Sequence, residues 1–325
     1  MERNDYQVEK ASLMERLWEP WKSLDLKDLN RKTVQDAKLE FKKGRGAMGL
    51  SMLEYTPFGD LDKLSSMLPF DEYVKKVLNP LVKSGEISDG SNSPFDDRKL
   101  RYDRADILPT YNPDTIVVNF GATHFKAFLA DQNRSDNDNL ELQEEGKRRF
   151  GDRYAFLSRA PGIAVLPLFM DVNRQQNVTY VGERTNSEMG GFLNAVAGHL
   201  KFRENPETVD LMEDLHKEME EEFGIKPNSI VGKPVFAGVY SNPIKGDLDF
   251  TFIAQTDVPA SYVDSGEWMS RVKEREHKPL IKLASMADVK TLLDEGVVPD
   301  GRKFPLMYSA RGALESLTEA ELRRL

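Results

Sequence analysis

The sequence predicts an α+β fold in which a mixed β-sheet is sandwiched between helices, with a mostly helical N-terminal region added in front. Three observations predict it. The strongest strand patterns, Gly162 to Val181 and Ser229 to Gln255, lie on either side of one amphipathic helix that closes as KEMEEEFGI at residues 217–225. A shorter strand and helix follow, Leu280 to Leu283 and Ala287 to Glu295. Strands and helices alternating in this way build layers around one core. Before residue 110 the apolar residues recur at helical spacings or irregularly.

Taken in order, Val8 to Trp18 reads as a helix, with Val8, Ala11, Met14 and Trp18 on one face. Thr33 to Lys43 reads as a second short helix. Gly44 to Gly49 is a flexible turn, because it lacks the Lys-Ser/Thr ending of a phosphate-binding loop. Asp71 to Lys83 is a helix with an Asp cap, and Glu86 to Asp97 is a linker by composition. Thr115 to Phe120 and Phe125 to Ala130 read as strands, and Asp131 to Arg153 as a polar, exposed excursion. Gly162 to Val172 and Asn177 to Val181 flank the turn 173–176 and form a hairpin, with Pro167 suggesting an edge or a bulge. After the central helix, Ser229 to Tyr240 and Leu248 to Gln255 are strands around the turn 241–246. Ser261 to Glu276 is polar and carries Trp268. Gly296 stops the helix at 287–295, and Thr318 with Glu321 forms the capping box of a last helix over 318–325. The expected division is residues 1–110 as the helical or irregular region of unassigned role, and residues 111–325 as the main domain with a helical tail.

Composition narrows the function. The chain has 325 residues, enough for a large core, and 30% of them are charged. It holds no apolar run of membrane-spanning length, and its N-terminus lacks the apolar segment of a signal peptide. It has no cysteine, which excludes disulfides, thiolate metal sites and a cysteine nucleophile. A cytoplasmic protein is expected. The net charge of −9 argues against nucleic acid as a partner. It leaves a small phosphate substrate open, because bound divalent cations reverse the local field.

The central helix, read as beginning near Pro206, carries the chemistry. Leu211, Leu215, Met219 and Phe223 recur every four residues, with Met212 beside them. Glu218, Glu221 and Glu222 are spaced i, i+3 and i+4 and share the face next to that stripe, while Glu220 points away to solvent. Like charges so placed repel by about 0.2–0.5 kcal/mol per pair on an exposed helix. An acidic run alone is ordinarily a solvated face. A hard cation such as Mg²⁺ or Mn²⁺, which takes oxygen ligands and phosphates together, gives the cluster a use. Gly224 is placed to cap the helix in a left-handed conformation.

Upstream, Gly198 is followed after five residues by Glu204, in GHLKFRE. With KEMEEEFGI, this resembles the signature of the Nudix hydrolase family: Gly, five residues, Glu, seven residues, then Arg-Glu-aliphatic-any-Glu-Glu-any-Gly-aliphatic. The chain departs from it twice. Lys217 replaces the arginine, and twelve residues instead of seven separate Glu204 from Lys217. The resemblance implies a Nudix-type sheet between helices and a Mg²⁺- or Mn²⁺-dependent pyrophosphohydrolase. It would cleave the pyrophosphate bond of a nucleoside diphosphate linked to another moiety: a nucleotide sugar, an ADP-ribose-like compound or a dinucleotide polyphosphate. Matching positions would make Glu218, Glu221 and Glu222 metal ligands, with the backbone carbonyl of Gly198. Glu204 matches the first glutamate of the motif, or is a surface or capping acid. Glu221 also falls in the catalytic set, and Lys217 stands where the family's arginine braces a glutamate, without its two-pronged fork. Arg184, after the hairpin, is a candidate substrate-phosphate contact. For the general base the family arrangement points to Glu276, with Glu267 and Glu274 as rivals. His277 and His199 are not assigned roles. Tyr240 and Pro243 both fall near the window that separates family subgroups. A small-molecule nucleotide is the expected partner, with no membrane and with homodimers as a common family state. The alternative from a different class is a Nudix-fold module that binds or regulates with little catalysis, which the stretched motif and Lys217 favour.

Overall fold

In the computed structural model, the residues described are 22–24, 29, 38–43, 98–108, 115–125, 128, 131–132, 134–184, 191–272 and 277–323. The first strands are β1 (Lys22–Leu24), β2 (Lys38–Lys43), β3 (Arg98–Leu108) and β4 (Thr115–His124). They form a four-stranded sheet in the order β1-β3-β4-β2. β3 and β4 are antiparallel, and β2 joins β4 in parallel. The helix expected over Thr33 to Lys43 is corrected here. In β2 the apolar Leu39 and Phe41 alternate with Lys38, Glu40 and Lys42, which is the period of a strand, and both apolar side chains pack against the core. The helices expected at Val8 to Trp18 and Asp71 to Lys83, and the linker, lie outside the described residues.

Phe125 and Phe128 are helical rather than part of a strand. The stretch expected to be an exposed excursion instead contains helix α1 (Asp136–Phe150), capped by Ser135 and closed by Gly151. Its buried positions include Asn139 and Gln143, so its inward face is partly polar. Gln143 donates to the carbonyls of Pro243 and Ile244. A hydropathy pattern does not register such a face.

The main sheet follows. β5 (Pro161–Asp171) and β6 (Gln176–Arg184) form the expected antiparallel hairpin, with Phe169 opposite Val178. β7 (Leu193–Asn194) pairs with β6, and β8 (Val196–His199) pairs with β5. Helix α2 (Leu211–Phe223) comes next, then β9 (Val235–Ser241) and β10 (Leu248–Pro259). Helix α3 (Ala260–Asp264), β11 (His277–Leu283), α4 (Met286–Glu295), α5 (Tyr308–Ser316) and α6 (Glu319–Leu322) complete the order. The strands lie as β11-β6-β5-β10-β9, with β5 and β10 parallel, so the sheet is mixed.

β5 is therefore central, not an edge. Its run PGIAVLPLFMD is buried along nearly its whole length, as expected of a strand covered on both faces. Pro167 is tolerated because β5 changes partner there. β8 pairs with it through Val165, and β6 takes over from Leu168. The Thr179 hydroxyl donates to the Pro167 carbonyl in the gap, at 2.8 Å.

One face of this sheet packs on α2 and on the four-stranded sheet. Ile163, Val165 and Phe250 share a core with Leu215, Met219 and Phe223, and with Leu100, Ile116, Val118 and Phe120. Each large buried side chain here is worth roughly 1.5–3 kcal/mol. The other face carries Leu166, Val181 and Ile253 against Val289 and Leu292 of α4 and Ala310 and Leu314 of α5. This is the sheet between helices that the sequence predicts. α5 itself was not expected. It approaches so closely that a side chain at Gly312 would enter the Tyr240 ring, and the Tyr240 hydroxyl meets Ser316 Oγ at 2.8 Å. Gly296 ends α4 and Thr318 with Glu321 caps α6, both as expected.

Candidate active site

The site is built where α2 crosses β8. The helix was expected to begin near Pro206. Instead Pro206–Thr208 forms a separate 3-10 turn, and α2 starts at Leu211 under the Asp210 cap, whose carboxylate accepts from the N–H groups of Met212 and Glu213. This turn and cap lie within the segment between Glu204 and Lys217. At the other end Gly224 has φ of 66°, and a Cβ there would also meet Arg271 and the Tyr262 hydroxyl. Tyr262 donates to the Phe223 carbonyl at 2.9 Å, and the Phe223 ring stacks on Trp268 at 5.6 Å. The helix is thus fixed at both ends and along its apolar stripe, which points its glutamates at β8.

Glu218 lies directly against Gly198: a Cβ at that glycine would overlap the carboxylate. The motif glycine is therefore needed for space. Glu222 is 3% exposed, and its carboxylate faces the Ala197 N–H, with both oxygens at 3.4 Å. Glu221 is more open. Lys217 bridges two of the three acids, at 3.1 Å to Glu218 and 2.9 Å to Glu221. It braces two glutamates from one ammonium, as the family's arginine was expected to do for one. Burial pushes the Glu218 carboxyl up to about 7, with Lys217 opposing and Glu222 adding to the rise. Burial works against the Lys217 charge, but its bonds to Glu221 and Glu218 outweigh this and raise its pKa.

The remaining candidates divide. Glu204 is not gathered into the cluster: its side chain is 81% exposed and pairs with Arg98 of β3 at 2.6 Å. Its neighbour Arg203 turns inward instead, to Asp214 at 3.1 Å and Glu213 at 2.9 Å, and so ties the motif loop to the first turn of α2. Arg184 ends β6, half-buried, where its N–H donates to the Phe192 carbonyl at 2.9 Å. Glu276 and Glu274 lie outside the described residues. Glu267 pairs with Arg271 on the surface. Tyr240 and Pro243 serve the fold, through Ser316 and Gln143.

Sequence reasoning missed Asp249 and Asp214. Asp249 opens β10 opposite Gly162, and a Cβ at Gly162 would strike its carboxylate while also approaching the Gly198 carbonyl. Burial, then the charge of Asp247, raises the Asp249 carboxyl to about 7, while Ser309 and Arg184 pull it down. The only signal in the sequence is an acid at the head of the apolar run 248–255. His199 is held edge-on by the rings of Phe125 and Phe128, at 5.7 and 4.4 Å. Burial, with Lys99 and Arg184 nearby, lowers it to about 3, so it is neutral at physiological pH.

Among the described residues, no group of three or more His, Asp or Glu side chains forms a ready-made metal cage. The residues still fit a divalent cation. A carboxylate cradled against the motif glycine, two further acids one turn on and an adjacent carbonyl are hard oxygen donors.

No family model matches the chain. No curated protein matches it by sequence. Among solved structures, it is similar to a mutT/nudix family protein from Listeria innocua, at 16% identity over 48% of this chain and 90% of that one, with a TM-score of 0.32. It is also similar to the NUDIX domain of Shewanella oneidensis NrtR, solved with ADP ribose, at 13% identity over 53% and 94%, with a TM-score of 0.32. An Ap4A hydrolase from C. elegans is similar at 12% identity over 37% and 77%, with a TM-score of 0.26.

Proposed function

We propose that this chain is a Nudix-type hydrolase that uses a divalent cation, Mg²⁺ or Mn²⁺, to cleave the phosphoric anhydride of a nucleoside diphosphate linked to another moiety. The observation that carries the reading is the fit of Glu218 against Gly198, with Glu221 and Glu222 on the same helix face. A helix packed against the strand that carries Gly198 is the context such a motif needs, which supports the reading.

Glu218, Glu222 and the Gly198 carbonyl hold the cation, with Glu221 at the open end of the cluster. When bound, the cation neutralises phosphate charge and acidifies the attacking water. The chain's own residues do the rest. Lys217 positions Glu218 and Glu221. Arg184 faces the phosphates from the end of β6. Water adds to one phosphorus, the bridging P–O bond breaks, and a nucleoside monophosphate and a phosphorylated partner leave. Glu276 takes the water's proton in this scheme, and Glu221 is the alternative base. The substrate is a small nucleotide, and no helix among the described residues is long and apolar enough to cross a membrane.

The test is hydrolysis of a panel of nucleotide sugars, ADP-ribose and dinucleotide polyphosphates with Mg²⁺ or Mn²⁺, comparing wild type with Glu221→Gln and Glu222→Gln. Metal-dependent cleavage falling about 10²-fold or more in both variants supports the enzyme. A second reading, a binding module with little catalysis, is favoured by one observation: Glu204 is turned away to Arg98. Tight nucleotide binding with no cleavage by wild type selects it.

A further inference from the structure

We infer that Lys217 is an exchangeable occupant of the glutamate face: its ammonium fills the place between Glu218 and Glu221, and a divalent cation enters there by displacing it. This rests on the reading above, that Glu218, Glu221 and Glu222 hold a cation. The Lys217 ammonium lies 3.1 Å from Oε1 of Glu218 and 2.9 Å from Oε2 of Glu221. Two carboxylates at i and i+3 share a face, and these are the oxygens they would offer to one ion between them. The pair with Glu221, at i+4, is an ordinary helix pair. Sequence neighbours do not ordinarily face each other on a helix, so the bond to Glu218 takes the whole length of the lysine stem. Glu222 is turned toward β8, where both its oxygens lie 3.4 Å from the Ala197 N–H. The face thus offers an inner place beside Gly198 and an outer one between Glu218 and Glu221.

The chemistry of the occupant decides how firmly the outer place is held. An arginine there would bind carboxylates through a planar, fixed fork, whereas an ammonium is a compact charge on a flexible stem. The Lys217 side chain is 54% exposed, against 22% for Glu221 and 9% for Glu218. An ion pair formed largely in water is weak, and a lysine loses no special geometry by leaving it. A divalent cation brings twice the charge and accepts carboxylate oxygens from several directions. It therefore takes Glu218 and Glu221 from the ammonium. The lysine stays tethered one residue from Glu218, so its charge remains close and repels the cation. Lys217 thus steadies the acids when no cation is bound and weakens the hold on one that is. A residue that only braced the glutamates would do the opposite and strengthen that hold.

The test is titration of wild type, Lys217→Met, Lys217→Gln and Lys217→Arg with Mn²⁺, with melting temperatures recorded with and without the ion. Lys217→Met and Lys217→Gln are expected to bind Mn²⁺ about three- to tenfold more tightly than wild type, and to melt lower without it because the acids have lost their counter-ion. Lys217→Arg is expected to bind Mn²⁺ more weakly than wild type. The gain from Lys217→Met is expected to vanish in combination with Glu221→Gln, which removes one wall of the outer place. Folded Lys217→Met and Lys217→Gln that bind Mn²⁺ as wild type does, or more weakly, would overturn the inference while leaving the cation reading intact. Absence of Mn²⁺ binding from wild type and from every Lys217 variant removes the cation reading and this inference together.

Discussion

Gly198 and Glu218 are one unit, a backbone without a side chain and the carboxylate that fills the space. Gly198→Ala is expected to push the carboxylate out of place, lowering Mn²⁺ affinity tenfold or more and stability by about 1–3 kcal/mol. Metal titration and denaturant melts check both. Glu218 also sets a pH dependence. Its carboxyl is raised from an ordinary value of 4.5 to about 7, so the folded protein holds a proton that the unfolded chain has released. Stability from this group is intact below pH 4.5 and is lost as pH rises to about 7. Glu218→Gln is therefore expected to match wild type near pH 4.5 and to be more stable at pH 8 without metal, by up to about 3 kcal/mol. Equal pH–stability curves for the two proteins would show that the carboxylate is not strained by burial. His199 opposes this below pH 6.5, since it stays neutral when folded. The comparison with Glu218→Gln cancels that contribution.

At the scale of elements, α2 was legible because everything that defines it is local: a four-residue apolar repeat, acids at i, i+3 and i+4, and a terminal glycine. It starts later than expected because Pro206–Thr208 forms a separate 3-10 turn and Asp210 takes the cap. Asp210→Ala is expected to cost about 1 kcal/mol, read as a lower denaturation midpoint with unchanged slope. α1 and α5 escaped because neither buries a simple apolar stripe. α1 buries Asn139, bonded to Arg134 and the Asp131 carbonyl just before the helix, and Gln143, whose partners Pro243 and Ile244 lie far along the chain, while α5 buries Ser309, Gly312 and small alanines. Gly312→Ala is expected to destabilise by about 1–3 kcal/mol, because the Tyr240 ring fills the place of the new methyl group. Glu218, Glu221 and Glu222 could be read from spacing, whereas Asp249 could not. It is brought beside Gly162 and Gly198 by the pairing of β10 with β5, and one sequence does not encode register in a visible pattern.

For the molecule as a whole, the main sheet is covered on one face by the C-terminal helices and on the other by α2 together with the four-stranded sheet. β3 and β4, which flank the expected division at residue 110, pair from Arg98 with His124 to Leu108 with Thr115. The interface is made rigid by Arg101, fully buried and bonded to the Leu157 and Tyr154 carbonyls, and by Arg159, whose guanidinium lies between the Tyr102 and Tyr154 rings. The central claim is that the glutamate face of α2 is a cation site. Mn²⁺ binding measured by the loss of the free-ion electron paramagnetic resonance signal tests it most directly. Wild type is expected to bind Mn²⁺, with affinity rising as pH passes about 7, and Glu218→Gln and Glu222→Gln to weaken it tenfold or more. Folded variants that bind Mn²⁺ as wild type does, or a wild type that binds none with or without nucleotide, would contradict the account.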